Sequence, residues 1–456
     1  MSSSIKKLAF SGALWTFFGY GFGQGVRLIS NLILTRLLFP EIFGLMSLVS
    51  TFIVGIGQFS DIGLAPSIIY SPKGDDPLFL NTAWTIKVIR GVILWLFSVF
   101  ISFPLAHIYN NPQILYLLPV IGLTFIFDGF SSTSIYTLNR EVNVKKNIIF
   151  DLSCQLLQIA IMLIWAWFNR SIWALVGSGF ISSFARMIAS HFLIKNYSNK
   201  FAWQDAIVKE IANFGGWIFL STAATFIAVQ ADKLILPKLY QNPSEGLKVL
   251  GVYIIALNFA MIPQDIVGVL SSKIIFPVIA KFSDLPRENL RKKILSKRWM
   301  VLSIIGVLVV VLFCFGDILI SKLYDKRYYQ AKWMLPILAL GIWPNLLYQT
   351  GVESLLAVGK PKYQAFSQTT KSIYMCIFPV LAYHWFGLIG FVISVAINDF
   401  GLYSFVVYGL LKEKLNFLKQ DFTYTIILVI VILILLTIRN FAGLGYPIES
   451  ISVMQG

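Results

Sequence analysis

The chain has 456 residues, 57% of them hydrophobic and only 13% charged, against about 25% charged in an ordinary soluble domain. So few charged side chains cannot cover a surface that faces water all round, and the mean hydropathy is +0.76. A cytosolic enzyme, a disordered chain and a disulfide scaffold are excluded; the composition is that of a polytopic membrane protein. The three cysteines, Cys154, Cys314 and Cys376, lie singly in apolar runs, so neither a disulfide framework nor a CxxC metal site is expected. His107, His191 and His384 are far apart in sequence and make no zinc or haem pattern. The net charge of +16 suggests no nucleic-acid partner here, because no nucleic-acid-binding motif accompanies it and loop cations that orient membrane helices explain it.

A hydrocarbon core of about 30 Å needs about 20 mostly apolar residues per helix. In chain order that window predicts helices over 12–37, 42–60, 82–104, 114–138, 147–168 and 171–194. A second series follows over 211–237, 249–270, 299–321, 333–357, 368–385, 387–411 and 422–438. The Lys6-Lys7 pair ahead of the first apolar run is like a signal-peptide start, but the run is too long and reads as the first span. With the N-terminus in the cytoplasm, 23 bases fall on the cytoplasmic side and nine on the other, the asymmetry the positive-inside rule requires. Arg298 and Lys371 are counted among the cytoplasmic bases and Arg439 among the external ones. The stretch 271–298 is a cytoplasmic, helical basic connector, read as an anchor to lipid headgroups ahead of a partner site.

The expected organisation is an all-α integral membrane fold with a six-helix lobe over 1–195 and a cytoplasmic linker over 196–210. A second six-helix lobe covers 211–411, and an extra helix and tail cover 412–456. Phe10-Ser-Gly-Ala-Leu-Trp15 and Phe214-Gly-Gly-Trp-Ile-Phe219 open the two series alike. Six spans per half start both lobes on the same side, so the repeat is related by a pseudo-two-fold along the membrane normal.

Charges within spans are costly and mark protein-lined or wet surfaces. Five bases qualify: Arg27, Lys87, Arg90, Arg186 and Lys233. Gln24, Arg27 and Asn31 share a face of the first helix by their i, i+3, i+7 spacing. Gly19, Gly21, Gly23 and Gly25 line the same helix, either to pack closely on a neighbour or to let it bend. Lys87 and Arg90 are explained either by a polar interior or by snorkelling. Lys233 adjoins Asp232, with Gln230 close by, and the two are expected as an internal ion pair or as a switch between states. Asp128, Asp265, Asp317, Glu353 and Asp399 are acids at or near membrane depth that can neutralise a base or carry a proton. Pro119, Pro336, Pro344 and Pro379 mark expected bends. The candidate cavity residues are therefore Gln24, Arg27, Asn31, Lys87, Arg90, Arg186, Asp232 and Lys233, with no catalytic, cofactor or metal residues. Their cationic bias suits an anionic, hydroxyl-rich cargo, since guanidinium matches phosphate oxygens.

Several runs carry a family resemblance. Leu34-Thr-Arg-Leu-Leu-Phe-Pro-Glu-Ile-Phe-Gly44 is similar to the turn after the first helix of bacterial polysaccharide flippases. Phe59-Ser-Asp-Ile-Gly-Leu-Ala-Pro-Ser-Ile68 resembles the end of their second helix. Asp232-Lys-Leu-Ile-Leu236 with Gly251-Val-Tyr253 resembles their seventh and eighth, and Phe276-Pro277 and Leu356-Ala-Val-Gly-Lys-Pro-Lys362 fit the later half. The chain thus resembles the Wzx-like polysaccharide-transporter branch of the multidrug/oligosaccharidyl-lipid/polysaccharide superfamily, along nearly its whole length. The resemblance implies twelve or fourteen helices against the thirteen read here, with residues 439–456 as a shortened last helix. It also implies a non-enzymatic flippase in a bacterial inner membrane that moves polyprenyl-diphosphate-linked oligosaccharide, an O-antigen, capsule or exopolysaccharide repeat unit, to the outer leaflet by alternating access. Membrane lipids and polysaccharide assembly proteins are the implied partners, and H⁺ or Na⁺ the candidate coupling ions. A multidrug exporter of the same superfamily is the nearest alternative, and the first-half bases argue against it. A membrane glycan polymerase or ligase would need a large external loop, which no inter-helix segment supplies. No P-loop, GxSxG or HExxH occurs either.

Overall fold

The computed structural model describes residues 3–61, 63–140, 144–194, 197–271, 279, 282 and 285–449, with the side chains of 3–14, 16, 17, 70, 144 and 212–221 excepted. The described residues form helices and connecting turns, without a strand. In chain order the helices are α1 Ser3–Leu37, α2 Pro40–Phe59, α3 Leu64–Tyr70, α4 Pro77–Ile108, α5 Ile114–Phe130, α6 Ser134–Arg140, α7 Val144–Phe168 and α8 Trp173–Ser190. They continue as α9 Asp205–Ile235, α10 Pro243–Ala260, α11 Ile262–Leu270, α12 Arg287–Leu323, α13 Ala331–Ala357, α14 Lys362–Ile397, α15 Asp399–Lys412 and α16 Leu418–Phe441. Each of the thirteen expected spans finds helix. Six stretches among the described residues are long and apolar enough to cross a bilayer, and eight if the bent pairs α5–α6 (60°) and α10–α11 (44°) each count as one span. The last helix ends at Phe441; residues 442–449 turn through Gly443 and Gly445, both left-handed, instead of forming a shortened helix, and 450–456 lie outside the described residues.

The family-like runs are the places where helices stop and start. Leu34 and Leu38 are buried one turn apart against Ala166, Ala174 and Leu175, and Pro40 then opens α2, where its missing N–H costs nothing. Gly63 takes φ 68° in the turn after α2, and its N–H is held by Asp61 Oδ1 at 2.9 Å. Gly359, φ 74°, ends α13 just before Pro361 and α14, the usual order of a left-handed glycine and a proline at a helix C-terminus. Phe276 and Pro277 lie outside the described residues. Gly387 (φ 61°, ψ −150°) breaks α14 between the two spans expected there. The prolines expected to mark bends, Pro119, Pro336, Pro344 and Pro379, all lie inside helices; the measured breaks fall at 131–133, Met261 and Gly387.

The chain divides into two compact units, Met1–Phe226 with Tyr240–Leu247, and Ile227–Leu239 with Lys248–Gly456. In the first, α4 and α5 approach through small residues: a Cβ on Gly91 would meet the Phe125 carbonyl oxygen at 2.5 Å and the Gly129 Cα at 3.3 Å. Apolar helices in lipid associate through such close backbone contact. The bend between α5 and α6 leaves backbone groups unpaired, and side chains from α8 and the segment 197–203 take them. Ser190 Oγ accepts from Ser132 N at 2.8 Å, Asn199 Oδ1 accepts from Ser132 Oγ at 2.9 Å and from Thr133 N at 3.2 Å, and His191 Nε2 lies 3.0 Å from the Phe130 carbonyl. The segment between α8 and α9 is thus docked on the first unit, and burial pushes the Tyr197 phenol above its usual range. In the second unit, Leu290, Ile294, Tyr348, Val352, Leu355, Leu402, Val406 and Phe417 form a core between α12, α13, α15 and the start of α16.

Candidate transport-site residues

At 100° per residue, Tyr20, Gln24, Arg27 and Asn31 fall on one side of α1, and Phe18, Phe22, Ile29 and Ile33 on a side about 180° away. The aromatic and aliphatic side is exposed and suits acyl chains. The polar side borders the contact with α7, where Gly23 O accepts from Gln155 Nε2 at 2.8 Å. Gln24 donates to the Tyr20 hydroxyl at 2.9 Å, and Asn31 is half-buried. Arg27 is exposed, and no ion-pair partner faces it among the described residues. Its guanidinium is therefore free to meet an anion on the side of α1 turned away from the apolar one.

The glycines of this helix divide by face. A Cβ on Gly19 would collide with Ile148, and one on Gly23 would meet Gln155 Oε1 at 3.0 Å, whereas Gly21 and Gly25 have nothing described within 4 Å. Close packing on α7 accounts for the first two only.

The other first-unit bases have partners. Lys87 is buried and lies 3.4 Å from Asp128, whose carboxylate side chain is 60% exposed, with the Tyr136 ring 5.3 Å away. Arg90 closes the end of α2: its Nε donates to Ser60 O at 2.8 Å and its Nη2 to Gly57 O at 2.8 Å and Ser60 Oγ at 2.9 Å. A guanidinium on the last carbonyls of a helix is a C-terminal clamp, so Arg90 is occupied by backbone. Arg186 pairs with Asp151 at 2.8 Å across α7 and α8, with both side chains partly exposed, and stacks over Phe150.

In the second unit Asp232 and Lys233 turn to different partners, in place of the ion pair expected between them. Asp232 is buried and accepts from Tyr253 OH at 2.6 Å, with Oδ1 meeting no donor among the described residues. Lys233 donates to Gln230 Oε1 at 2.6 Å.

Of the five bases read as buried in spans, Lys87 alone is fully buried. Three bases assigned to loops are buried instead, each on an aspartate. Arg298 pairs with Asp421, while its Nε donates to Thr350 Oγ1 at 2.9 Å and Tyr403 OH donates to Asp421 Oδ2 at 2.6 Å. Lys371 meets Asp399 at 2.6 Å, and Asn345 Nδ2 donates to the other oxygen of Asp399 at 3.0 Å. Arg439 forks onto both oxygens of Asp317, at 2.8 and 2.5 Å. Arg298–Asp421 and Asp317–Arg439 both join α12 to α16, about 28 Å apart at 1.5 Å rise per residue, close to the roughly 30 Å of a hydrocarbon core. The sequence held the signal: Lys371 lies inside its predicted span, Arg298 one residue before another, and Asp317 and Asp399 needed partners.

Residues 33–297, more than half of the chain, match the family model described as polysaccharide biosynthesis protein. The chain is 24% identical over 358 residues to the lipopolysaccharide biosynthesis protein WzxC of Escherichia coli, which covers 77% of this chain and 70% of that one. It is 22% identical over 316 residues to the succinoglycan biosynthesis transport protein ExoT of Rhizobium meliloti, covering 69% of this chain and 62% of that one. The fold is similar to that of the lipid II flippase MurJ in an inward closed conformation, with a TM-score of 0.61 and 15% identity over 96% of this chain and 98% of that one. It is similar as well to an inward-facing multidrug resistance MATE family transporter of the MOP superfamily, with a TM-score of 0.63 and 11% identity over 86% and 94%.

Proposed function

This chain belongs to the polysaccharide biosynthesis protein family, and from that premise we propose that it is a flippase for lipid-linked oligosaccharide. It is a multi-pass membrane protein and a transporter rather than an enzyme. WzxC and ExoT are named for lipopolysaccharide biosynthesis and succinoglycan transport, and a lipid-linked glycan is a cargo that fits both. The observation that carries the reading is Arg27: an exposed guanidinium without an ion-pair partner among the described residues, beside Gln24 and Asn31 and opposite the apolar side of α1. A sugar headgroup cannot enter hydrocarbon, because each unsatisfied polar group costs several kcal/mol, roughly 2–7. A protein surface with arginine for phosphate oxygens and amides for hydroxyls removes that cost while the lipid tail stays in the bilayer.

The finer reading has a bacterial inner membrane, an N-terminus in the cytoplasm, a polyprenyl-diphosphate carrier and two alternately open states. A coupling ion, H⁺ or Na⁺, belongs to it, with the open oxygen of buried Asp232 as acceptor, and polysaccharide assembly proteins receive the product. A cationic drug is a poor cargo for a surface led by Arg27. The test is reconstitution into liposomes with a lipid-linked oligosaccharide, scoring outer-leaflet sugar with and without H⁺ or Na⁺ gradients. Protein-dependent appearance of sugar supports the reading, and equal scrambling in protein-free vesicles overturns it.

A further inference from the structure

In the second unit a cavity of about 500 Å³ opens beside the first turns of α12, within the roughly 300–1,000 Å³ that holds a small amphiphile or drug-sized ligand. Its lining is mostly apolar, with Leu290, Ile294, Met300 and Val301 beside the cations Lys293, Lys297 and Arg298. Leu290, Ile294, Lys297 and Val301 recur at i, i+4, i+7 and i+11, so one helical stripe carries them all. The cations therefore stand at the end where α12 is polar, and Met300 and Val301 begin the apolar stretch. Trp299, half-exposed beside them, is of the type that sits at a membrane–water boundary. The neighbouring charges are occupied: Arg298 by Asp421, Arg291 by the Asn416 carbonyl at 2.7 Å, and Lys292 by Glu288 at 3.0 Å. Lys293 lies 3.7 Å over the Phe282 ring, and no carboxylate meets Lys293 or Lys297 among the described residues. Two ammonium groups that no described carboxylate meets, set along an apolar slot at interfacial depth, match a molecule with an anionic head and an acyl tail.

We infer that this cavity is a binding site for an anionic phospholipid of the surrounding leaflet, with its phosphate at Lys293 and Lys297 and an acyl chain against Ile294, Met300 and Val301. The site lies wholly inside the second unit and goes beyond the proposed transport reading; its test does not depend on transport.

The test is native mass spectrometry of the full-length protein in detergent, titrated with phosphatidylglycerol, with phosphatidylcholine, with a polyprenyl diphosphate and with inorganic phosphate. Phosphatidylglycerol is expected to bind about thirtyfold tighter to wild type than to Lys293→Gln/Lys297→Gln, on the scale of the attraction that two interfacial cations exert. Lys293→Arg/Lys297→Arg should retain binding, and Met300→Trp, which fills the slot from its edge, should weaken it. Lys322→Gln/Lys326→Gln, at the far end of α12, should leave it unchanged. Since Lys293, Lys297 and Met300 are exposed, the variants keep the fold, which circular dichroism and the unfolding temperature check. Equal binding of phosphatidylglycerol by wild type and the glutamine pair overturns the site. So does equal binding of phosphatidylcholine, displacement by inorganic phosphate alone, or preference for the polyprenyl diphosphate.

Discussion

The two units treat charge at membrane depth in opposite ways. In the second, Arg298, Lys371 and Arg439 are each buried on an aspartate that is itself buried or nearly so, and the bonds run between helices far apart in sequence. In the first, the acids facing Lys87 and Arg186 are 60% and 56% exposed, and Arg27 meets none among the described residues. A buried pair has already exchanged water for protein, and its charges are committed to holding helices together. An exposed or half-exposed cation keeps most of its capacity for a ligand. The second unit is therefore the cross-braced one, and the first holds the exposed cation, Arg27, on which the proposed function rests.

The largest expected effect is on the bracing. Asp421→Ala strands Arg298 in the interior and should lower unfolding stability by roughly 3–5 kcal/mol, the usual cost of breaking one side of a buried pair. Arg298→Met/Asp421→Leu should recover most of it. Chemical unfolding of the purified protein measures both, and an unchanged Asp421→Ala protein would remove the contrast. In the first unit comparable losses are expected at backbone contacts. Arg90→Met leaves the Ser60 carbonyl without its guanidinium donor and the Gly57 carbonyl with the Ser60 hydroxyl alone, and should cost about 1–3 kcal/mol. Gly91→Ala drives a methyl into the Phe125 carbonyl and should cost a similar 1–3 kcal/mol, seen as a lower unfolding midpoint. The smallest effect is expected at Gly21 and Gly25. Alanine there meets no described atom and should be neutral or stabilise by up to about 1 kcal/mol through helix propensity. A loss of transport with stability intact would make these two glycines the bending points of α1.

Much of this was legible in the sequence, for identifiable reasons. Helix positions follow from apolar runs of bilayer length, and even the break in α14 fell where Gly387 interrupts one. The turn-forming runs at 34–44, 59–68 and 356–362 are recognisable because Pro40, Gly63, Gly359 and Pro361 perform local backbone tasks that few other residues can. The partners of charged residues were not legible: Arg298 with Asp421 and Arg439 with Asp317 are more than a hundred residues apart, and only packing brings them together. A charge near a span end looks the same in sequence whether it reaches water or turns inward, so Arg298, Lys371 and Arg439 read as loop bases until packing places them. For the same reason Asp232 and Lys233, adjacent in sequence, seemed partners although successive helix positions point about 100° apart.

The central claim is that the open cation of α1 receives the anionic headgroup, and Arg27 in the liposome assay tests it most directly. Arg27→Ala should cut the appearance of outer-leaflet sugar about ten- to a hundredfold, as expected for loss of a charge-assisted hydrogen bond of about 1.5–3 kcal/mol. Its unfolding midpoint should be unchanged, and Arg27→Lys should restore part of the rate, since an ammonium keeps the charge without the planar fork. Full transport by the alanine variant, at wild-type stability, would contradict the account.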